Sequence, residues 1–352
     1  MSGEFFAIAR EHWAKYPKME PQDFAKLAYQ SEFGPAHMVQ SPDKVLASLL
    51  EERKASQAEP RPPEPIGNGL CRFHITQALS TLWELPLVGR MFTWTMARTE
   101  GTAEGLAKKL DRLAALPVPG MGAYLERWRR EGCPPVRHSE AFRTAYRPHY
   151  RVLRMDLARF LPALLPLERL ARDRRRRERP ALIAVDGRCG SGKTGFAALT
   201  GVLCCSADVV HMDDFYLPWA KRAEDWREVP GGNMDLERFR EEVLASAGRE
   251  EPGRYRPYDC PGDRLGDPVE LWEPLRIVEG TYSQHPALAG YYDYKLFFTC
   301  GREEQARRLR AREGDYYPTF DRVWRTLEER YFIACGTEQA ADLVVDTTGY
   351  FD

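Results

Sequence analysis

The sequence predicts an α/β domain in its second half, a parallel sheet covered by helices on both faces, preceded by a mainly helical N-terminal domain. Three observations carry this reading. The run Ala181–Gly187 (ALIAVDG) is short, apolar and β-rich, as suits a strand buried on both faces. A glycine-rich segment, Gly187–Thr194, joins it to a helix-compatible run. Further apolar runs at 208–212, 275–278, 295–299 and 343–345 are separated by helical patterns in several places, the spacing that parallel strands need for their crossovers.

Residues 1–165 read as the helical domain. Leu106, Leu110 and Leu113 share one face of a helix over 103–116. Leu153, Leu157, Phe160, Leu161 and Leu164 repeat the pattern until Pro162 and Pro166 disturb it. Residues 57–68 are rich in Pro and Glu and read as a loop. A linker spans 166–180. Its arginine-rich stretch could be a nucleic-acid-binding arm, but Glu168, Asp173 and Glu178 are interspersed, and the chain's 51 basic against 52 acidic residues show no wider basic excess. A solvated helix end is the better reading. The α/β domain then occupies 181–352.

Bulk properties narrow the class. A chain of 352 residues suggests two domains, and 43% hydrophobic with 29% charged residues fits a soluble globular protein. A net charge of −1 favours neither a nucleic acid nor an anionic membrane as partner, and no run reaches the ~18 apolar residues of a span, so neither partner is expected. The N-terminus lacks the apolar core of a signal peptide. Eight cysteines are scattered without a CxxC pair, which points to reduced thiols in a cytoplasm.

The chemistry concentrates in Gly187-Arg188-Cys189-Gly190-Ser191-Gly192-Lys193-Thr194, a GxxxxGK[ST] phosphate loop between strand and helix. Glycines let the backbone curl so that its N–H groups face phosphate oxygens. The new helix offers its positive end to the anion. Lys193 reaches the β- and γ-phosphates of ATP and is expected to face solvent without ligand. Thr194 supplies a hydroxyl to Mg²⁺, which prefers oxygen ligands. Cys189 is a small residue that fits the loop, or a redox sensor if the helix terminus lowers its thiol pKa.

The segments beyond the loop resemble the uridine kinase and phosphoribulokinase family of P-loop kinases. His211-Met212-Asp213-Asp214-Phe215-Tyr216 is similar to that family's D-x-F-Y element. Gly232-Asn233-Met234-Asp235, followed by Phe239, is similar to N-F-D. Arg254 to Asp259 resembles P-x-Y-D, and Ile277-Val278-Glu279-Gly280 resembles I-V-E-G. An arginine-rich run, Arg307 to Arg312, stands where the family keeps its lid. The resemblance covers about residues 180–348. It implies ATP-dependent phosphoryl transfer to a hydroxyl of a small molecule, a nucleoside or another polyol. Asp213 would activate the acceptor, Glu279 would serve the magnesium side, and Asp235 and Tyr258 would hold the acceptor. The lid arginines could pair as 308 with 312 or as 307 with 310. Alignment of Arg312-Glu313 with the lid's R-D favours Arg308 and Arg312.

Asp263 stands where uridine kinases carry a pyrimidine-reading histidine. An ionised Asp would repel pyrimidine carbonyl oxygens, so uridine and cytidine are expected to be poor acceptors. Tyr282 or His285 could touch the acceptor, though His285 before a proline suits a turn. In the N-terminal half, Glu32 with His37, His74 and His149 could form a metal or second catalytic site. Ordinary hydrogen-bonded histidines are the competing reading, since metal-ligand spacing is missing. A regulatory, acceptor-binding or dimerising role is equally open there, so a homo-oligomer is too. The alternative for the whole chain is a nucleotide-dependent sensor whose P-loop domain switches the helical half. A GTP switch is disfavoured because no N-K-x-D element occurs.

Overall fold

The computed structural model describes residues 2–35, 41–174, 179–204, 206–248 and 252–350. The chain divides into two compact units between residues 161 and 162. No helix among the described residues is long and apolar enough to cross a membrane.

The first unit is mainly helical, with Ser2–Lys15, Pro21–Phe33, Pro42–Ala55, Glu84–Arg98, Ala103–Leu113, Met121–Arg130 and Glu140–Tyr146. Leu106, Leu110 and Leu113 are buried together, as their spacing requires. The unit also holds a three-stranded antiparallel sheet, Glu64–Gly67, Leu70–His74 and Tyr150–Arg154. Its first strand falls inside the stretch read as a loop. Asn68 and Gly69 both have positive φ, 53° and 67°, and turn the chain in two residues. This is the Asn-Gly turn that suits the twist of a hairpin. The prolines and glutamates before it masked the strand.

The interior of this unit is partly polar. Asp23, with no exposed surface, accepts from the Ser139 amide at 3.0 Å, the Ser139 hydroxyl at 2.6 Å and His138 Nδ1 at 2.7 Å. Burial works to raise its pKa, but these donors outweigh burial and hold it below the usual range. His138 is in turn pushed down to about 4, mainly by its own burial. It is therefore neutral, gives its Nδ1 proton to Asp23, and accepts from the Tyr150 hydroxyl at 2.6 Å.

The second unit is built on a five-stranded parallel sheet. Its order is Leu343–Asp346, Tyr294–Thr299, Ala181–Gly187, Leu275–Glu279, Ala207–His211. Each strand lies within a residue of its expected run. Every residue of Ala181–Gly187 is buried. Because side chains alternate along a strand, both faces are covered. Phe297 and Phe298 show how. Phe297 meets Phe332 on helix Tyr317–Cys335 with ring centroids 4.9 Å apart. Its neighbour meets Phe196 on helix Lys193–Leu203, also at 4.9 Å.

Helix Met155–Arg174 runs through Pro162 and Pro166, where the sequence predicts a disturbance. Each internal proline costs about 3 kcal/mol. Burial of Leu157, Phe160, Leu164 and Leu167, each contributing about 1.5–3 kcal/mol, offsets that cost. Residues 175–178 of the arginine-rich linker lie outside the described residues. Arg179 just beyond them pairs with Asp293 at 2.8 Å.

Replacing Asp23 by Ala would leave His138 and both Ser139 donors without their buried acceptor. Urea unfolding of the variant should show a loss of about 3 kcal/mol. A loss under about 0.5 kcal/mol would mean that the network is not a stabilising element.

Candidate active site

The phosphate loop begins where the chain is most confined. A Cβ on Gly187 would lie 2.0 Å from the Phe298 carbonyl oxygen, and its φ of 131° also excludes other residues. Asp186, fully buried, fixes this corner. It accepts from the Gly187 amide at 2.7 Å, the Gln284 amide at 2.9 Å and the Tyr331 hydroxyl at 2.7 Å. Burial nevertheless pushes its pKa up. Gly190 and Gly192 follow with φ of 73° and 95°. Their amides have no protein acceptor among the described residues. Helix Lys193–Leu203 starts directly behind them. Free amides at a helix N-terminus form a seat for anionic oxygens.

Lys193 departs from the solvent-facing expectation. It is 9% exposed and its Nζ donates to the carbonyls of Gly187 at 2.6 Å and Arg188 at 3.0 Å. The loop curls around its own lysine because a buried ammonium needs acceptors. Arg188 points away from the cleft to Glu329 at 2.7 Å, Glu338 at 3.2 Å and the Thr299 hydroxyl at 2.9 Å. The Ser191 carbonyl accepts from the Thr347 hydroxyl at 2.9 Å.

A cleft of ≈ 430 Å³ opens over the loop. Into it come Lys193, Thr194, Asp213, Glu279 and Arg312. Four of these lie at or just beyond the ends of the parallel strands or start the helix that follows one, the edge where open α/β sheets bind ligands. Thr194 donates its hydroxyl to Glu279 Oε1 at 3.1 Å. Glu279 is 6% exposed and takes His211 Nδ1 on the same oxygen at 2.5 Å. That bond pushes the His211 pKa up and favours its cation. Asp213 is exposed and sits in the 3₁₀ turn Met212–Phe215, with Tyr216 donating to it at 3.0 Å. Asp214 turns elsewhere, to the Tyr255 hydroxyl at 3.0 Å.

Thr194, Glu279 and Asp213 offer only oxygen atoms to this part of the cleft, the donor set that Mg²⁺ takes. One hydroxyl and one or two carboxylates, completed by water and phosphate, is the usual protein share for that ion.

Other expected site residues lie outside the cleft lining. Asp235 caps helix Leu236–Phe239 by accepting from the Arg238 amide at 3.2 Å and pairs with the Arg238 guanidinium. Tyr258 donates to Asp263 at 2.5 Å, so the aspartate at the expected histidine position is held within its own loop. Arg308 is committed to Glu304, the Gly190 carbonyl and Thr347. It ties the arginine-rich helix to the phosphate loop, while Arg312 alone of that pair lines the cleft. Arg307 pairs with Glu304, and Arg310 lies 5.0 Å from the centre of the Tyr317 ring. Tyr282 lines the cleft with φ of 78°; His285 accepts from the Ala287 amide and acts as a turn residue.

The structure adds Glu328, which has no counterpart in the sequence reading. It is 4% exposed on helix Tyr317–Cys335 and lines the cleft. It accepts from the Cys189 amide at 3.0 Å, the Cys189 thiol at 3.1 Å and Gln305 at 3.0 Å. Burial pushes its pKa up. Burial and the Glu328 charge likewise push the Cys189 thiol up, opposite to the lowered value a redox sensor needs. Tyr216, Phe320 and Trp324 complete an aromatic wall. A glutamate beside Leu327, Tyr331 and Phe332 on a helix's buried face was the one sequence signal for Glu328.

In the first unit, Glu32 is engaged by Lys109 at 2.6 Å, the Thr102 amide at 2.9 Å and Asn68 at 3.3 Å. His74 faces Glu64 at 3.3 Å and Arg61 at 3.1 Å. His37 lies outside the described residues. No group of three or more His, Cys, Asp or Glu among the described residues could hold a metal ion.

No family model and no curated protein matches the chain. Solved structures do. One is a possible uridine kinase from Bacillus stearothermophilus, 20% identical over 50% of this chain and 98% of that one, with a TM-score of 0.39. Another is assigned as a fructose transport system kinase from Silicibacter sp. TM1040, 22% identical over 51% and 98%, with a TM-score of 0.40. At these identities the likeness is one of fold.

The Glu328 environment yields a pH test. A carboxyl whose folded pKa is raised contributes its stability fully below the unfolded value, about 4.3, and loses it as pH rises through the folded value. Glu328→Gln cannot ionise. The melting temperature of the variant relative to wild type should therefore climb as pH rises above about 4.3. The constant offset reflects whether the Cys189 amide keeps an acceptor. A difference flat with pH would show that Glu328 titrates as if exposed.

Proposed function

We propose that the second unit transfers the γ-phosphoryl group of ATP to a hydroxyl group of a small molecule. The observation that carries this is the meeting of a phosphate loop and a carboxylate, Asp213, across one cleft. Phosphoryl transfer asks mainly for positioning and for cations around the phosphate oxygens, with a carboxylate to orient the attacking hydroxyl.

Each part has a residue. The Gly190 and Gly192 amides receive phosphate oxygens. Lys193 leaves the Gly187 and Arg188 carbonyls for the phosphates, and Arg312 approaches from the arginine-rich helix. Asp213, oriented by Tyr216, takes the proton as the acceptor oxygen bonds to the γ-phosphorus and the bond to the ADP oxygen breaks. Thr194 and Glu279 would hold Mg²⁺, which supplies positive charge to the phosphate oxygens. For Glu279 to serve, the His211 bond must loosen or stay as a second partner.

A nucleotide-dependent sensor would need the loop but not Asp213 with its Tyr216 tether. Incubating the protein with ATP, magnesium and a metabolite extract, and searching by mass spectrometry for a product 80 Da heavier, separates the two. The 80 Da is the mass of a transferred phosphoryl group, about HPO₃.

Two substitutions test the roles. Lys193→Ala should lower turnover by 10²-fold or more, on the order of the loss when one charge-stabilising donor is removed. It should also lower the melting temperature, because two carbonyls lose a charged donor worth about 1.5–3 kcal/mol. Unchanged turnover would remove the loop lysine from the mechanism. Asp213→Asn should leave ATP affinity near wild type and slow transfer by roughly 10²-fold or more, as loss of a general base does. Should ATP affinity collapse while transfer per bound ATP persists, Asp213 is a metal ligand instead.

A further inference from the structure

Among the described residues, Arg222 is a cation without a counter-charge. Its guanidinium carbon lies 3.9 Å from the ring centre of Trp219, 5.2 Å from that of Trp226 and 6.0 Å from that of Tyr216. Its Nε donates to the Leu217 carbonyl at 2.9 Å. Nη1 is buried with no hydrogen-bond partner. Among the described residues no carboxylate pairs with it, whereas Arg188, Arg238, Arg308 and Arg325 all have one. Aromatic faces stabilise a guanidinium but leave its edge donors unused. An unpaired buried donor is a cost that folding alone does not repay.

Position gives that orphan a use. Tyr216, one of the rings around Arg222, lines the cleft and donates to Asp213. Trp226 touches Trp324, another wall residue, with centroids 6.5 Å apart. The charge of Arg222 reaches the Tyr258 phenol and the Cys260 thiol, and Cys260 also feels Asp213. Tyr216 thus stands between the Arg222 guanidinium and the cleft that holds the proposed base.

Resting on the kinase reading above, we propose that Arg222 binds an anionic group of the phosphoryl acceptor, so that the acceptor is a hydroxylated acid, an alcohol bearing a carboxylate or a phosphate, rather than a neutral sugar or nucleoside. Guanidinium groups bind both anions through paired N–H donors. Trp219, 60% exposed, would then flank the entry of the acceptor. A neutral alcohol would leave the Arg222 edge unpaired, and sites built for a polar group reject analogues lacking it strongly.

The test uses matched acceptors with ATP and magnesium: D-glycerate against glycerol, D-gluconate against D-glucose, and D-ribose 5-phosphate against D-ribose. The first two pairs report on a carboxylate and the third on a phosphate. Wild type should favour the acidic member of at least one pair by about 10²-fold or more in kcat/KM. Arg222→Gln should cut that preference by about 10²-fold through KM for the acid, and Arg222→Lys, which keeps the charge but not the fork, should recover part of it. If Arg222 only pins its loop, Arg222→Gln lowers the melting temperature and leaves the preference intact, which overturns the proposal. Should the glutamine variant not fold, the wild-type ratios decide. Neutral members phosphorylated as well as acidic ones would sink this inference and leave the kinase reading standing. No phosphorylated product from any member would take down the kinase reading for these classes and the inference with it.

Discussion

A buried carboxylate holds the active end of the sheet together. Asp186 has no exposed surface, and its three donors come from three places: the phosphate loop at Gly187, the turn after strand Leu275–Glu279 at Gln284, and helix Tyr317–Cys335 at Tyr331. Burying that charge is costly, and the bonds must all be present to offset it. The consequence is positional. The loop, the turn bearing Thr281 and Tyr282, and the helix bearing Trp324 and Glu328 all line one cleft, and one residue fixes their mutual distances. Gly187 adds a steric limit, since any side chain there would meet Phe298.

Protein groups satisfy part of the loop. Lys193 binds two loop carbonyls, and Glu328 takes the Cys189 amide. On the function proposed above, a triphosphate would replace these interactions rather than fill an empty seat. Only the difference between the two sets appears as affinity. The Gly190 and Gly192 amides are the unsatisfied remainder, so they supply the favourable part of that difference.

Much of this was legible in the sequence where the signal is local. A strand ending in Gly187 and a helix beginning at Lys193 follow from composition and spacing, and so do the other four strands. The place of Asp213 and Glu279 in the cleft follows from the strands that carry them. The features that escaped depend on partners distant in the chain. Glu328 lies 139 residues from Cys189. Nothing near it marks it apart from its place on a buried helix face. Asp235 looks the same in sequence whether it caps a helix or holds a hydroxyl. Arg308 and Arg312 share a helix face, yet one is consumed by Glu304 and Thr347 and the other reaches the cleft. The prolines at 162 and 166 misled because burial outweighed a local penalty.

The first unit shows the limit of reading chemistry from residue type. Asp23, His138 and Tyr150 are joined in the order of an acid–base relay. Their environment argues for a structural role. His138 stacks on Phe142 at 4.2 Å, both its ring nitrogens are engaged, and burial keeps it neutral down to about pH 4. A general base near neutral pH needs a pKa near the working pH and access to a substrate proton, and this histidine has neither. Asp23 also anchors Ser139, the cap of helix Glu140–Tyr146. The arrangement is thus explained by what it holds in place. At Arg222 the surroundings leave a buried charged donor over, as they do at Arg276, but Arg222 also stacks beside Tyr216, which lines the cleft, and it is this position that carries the proposal.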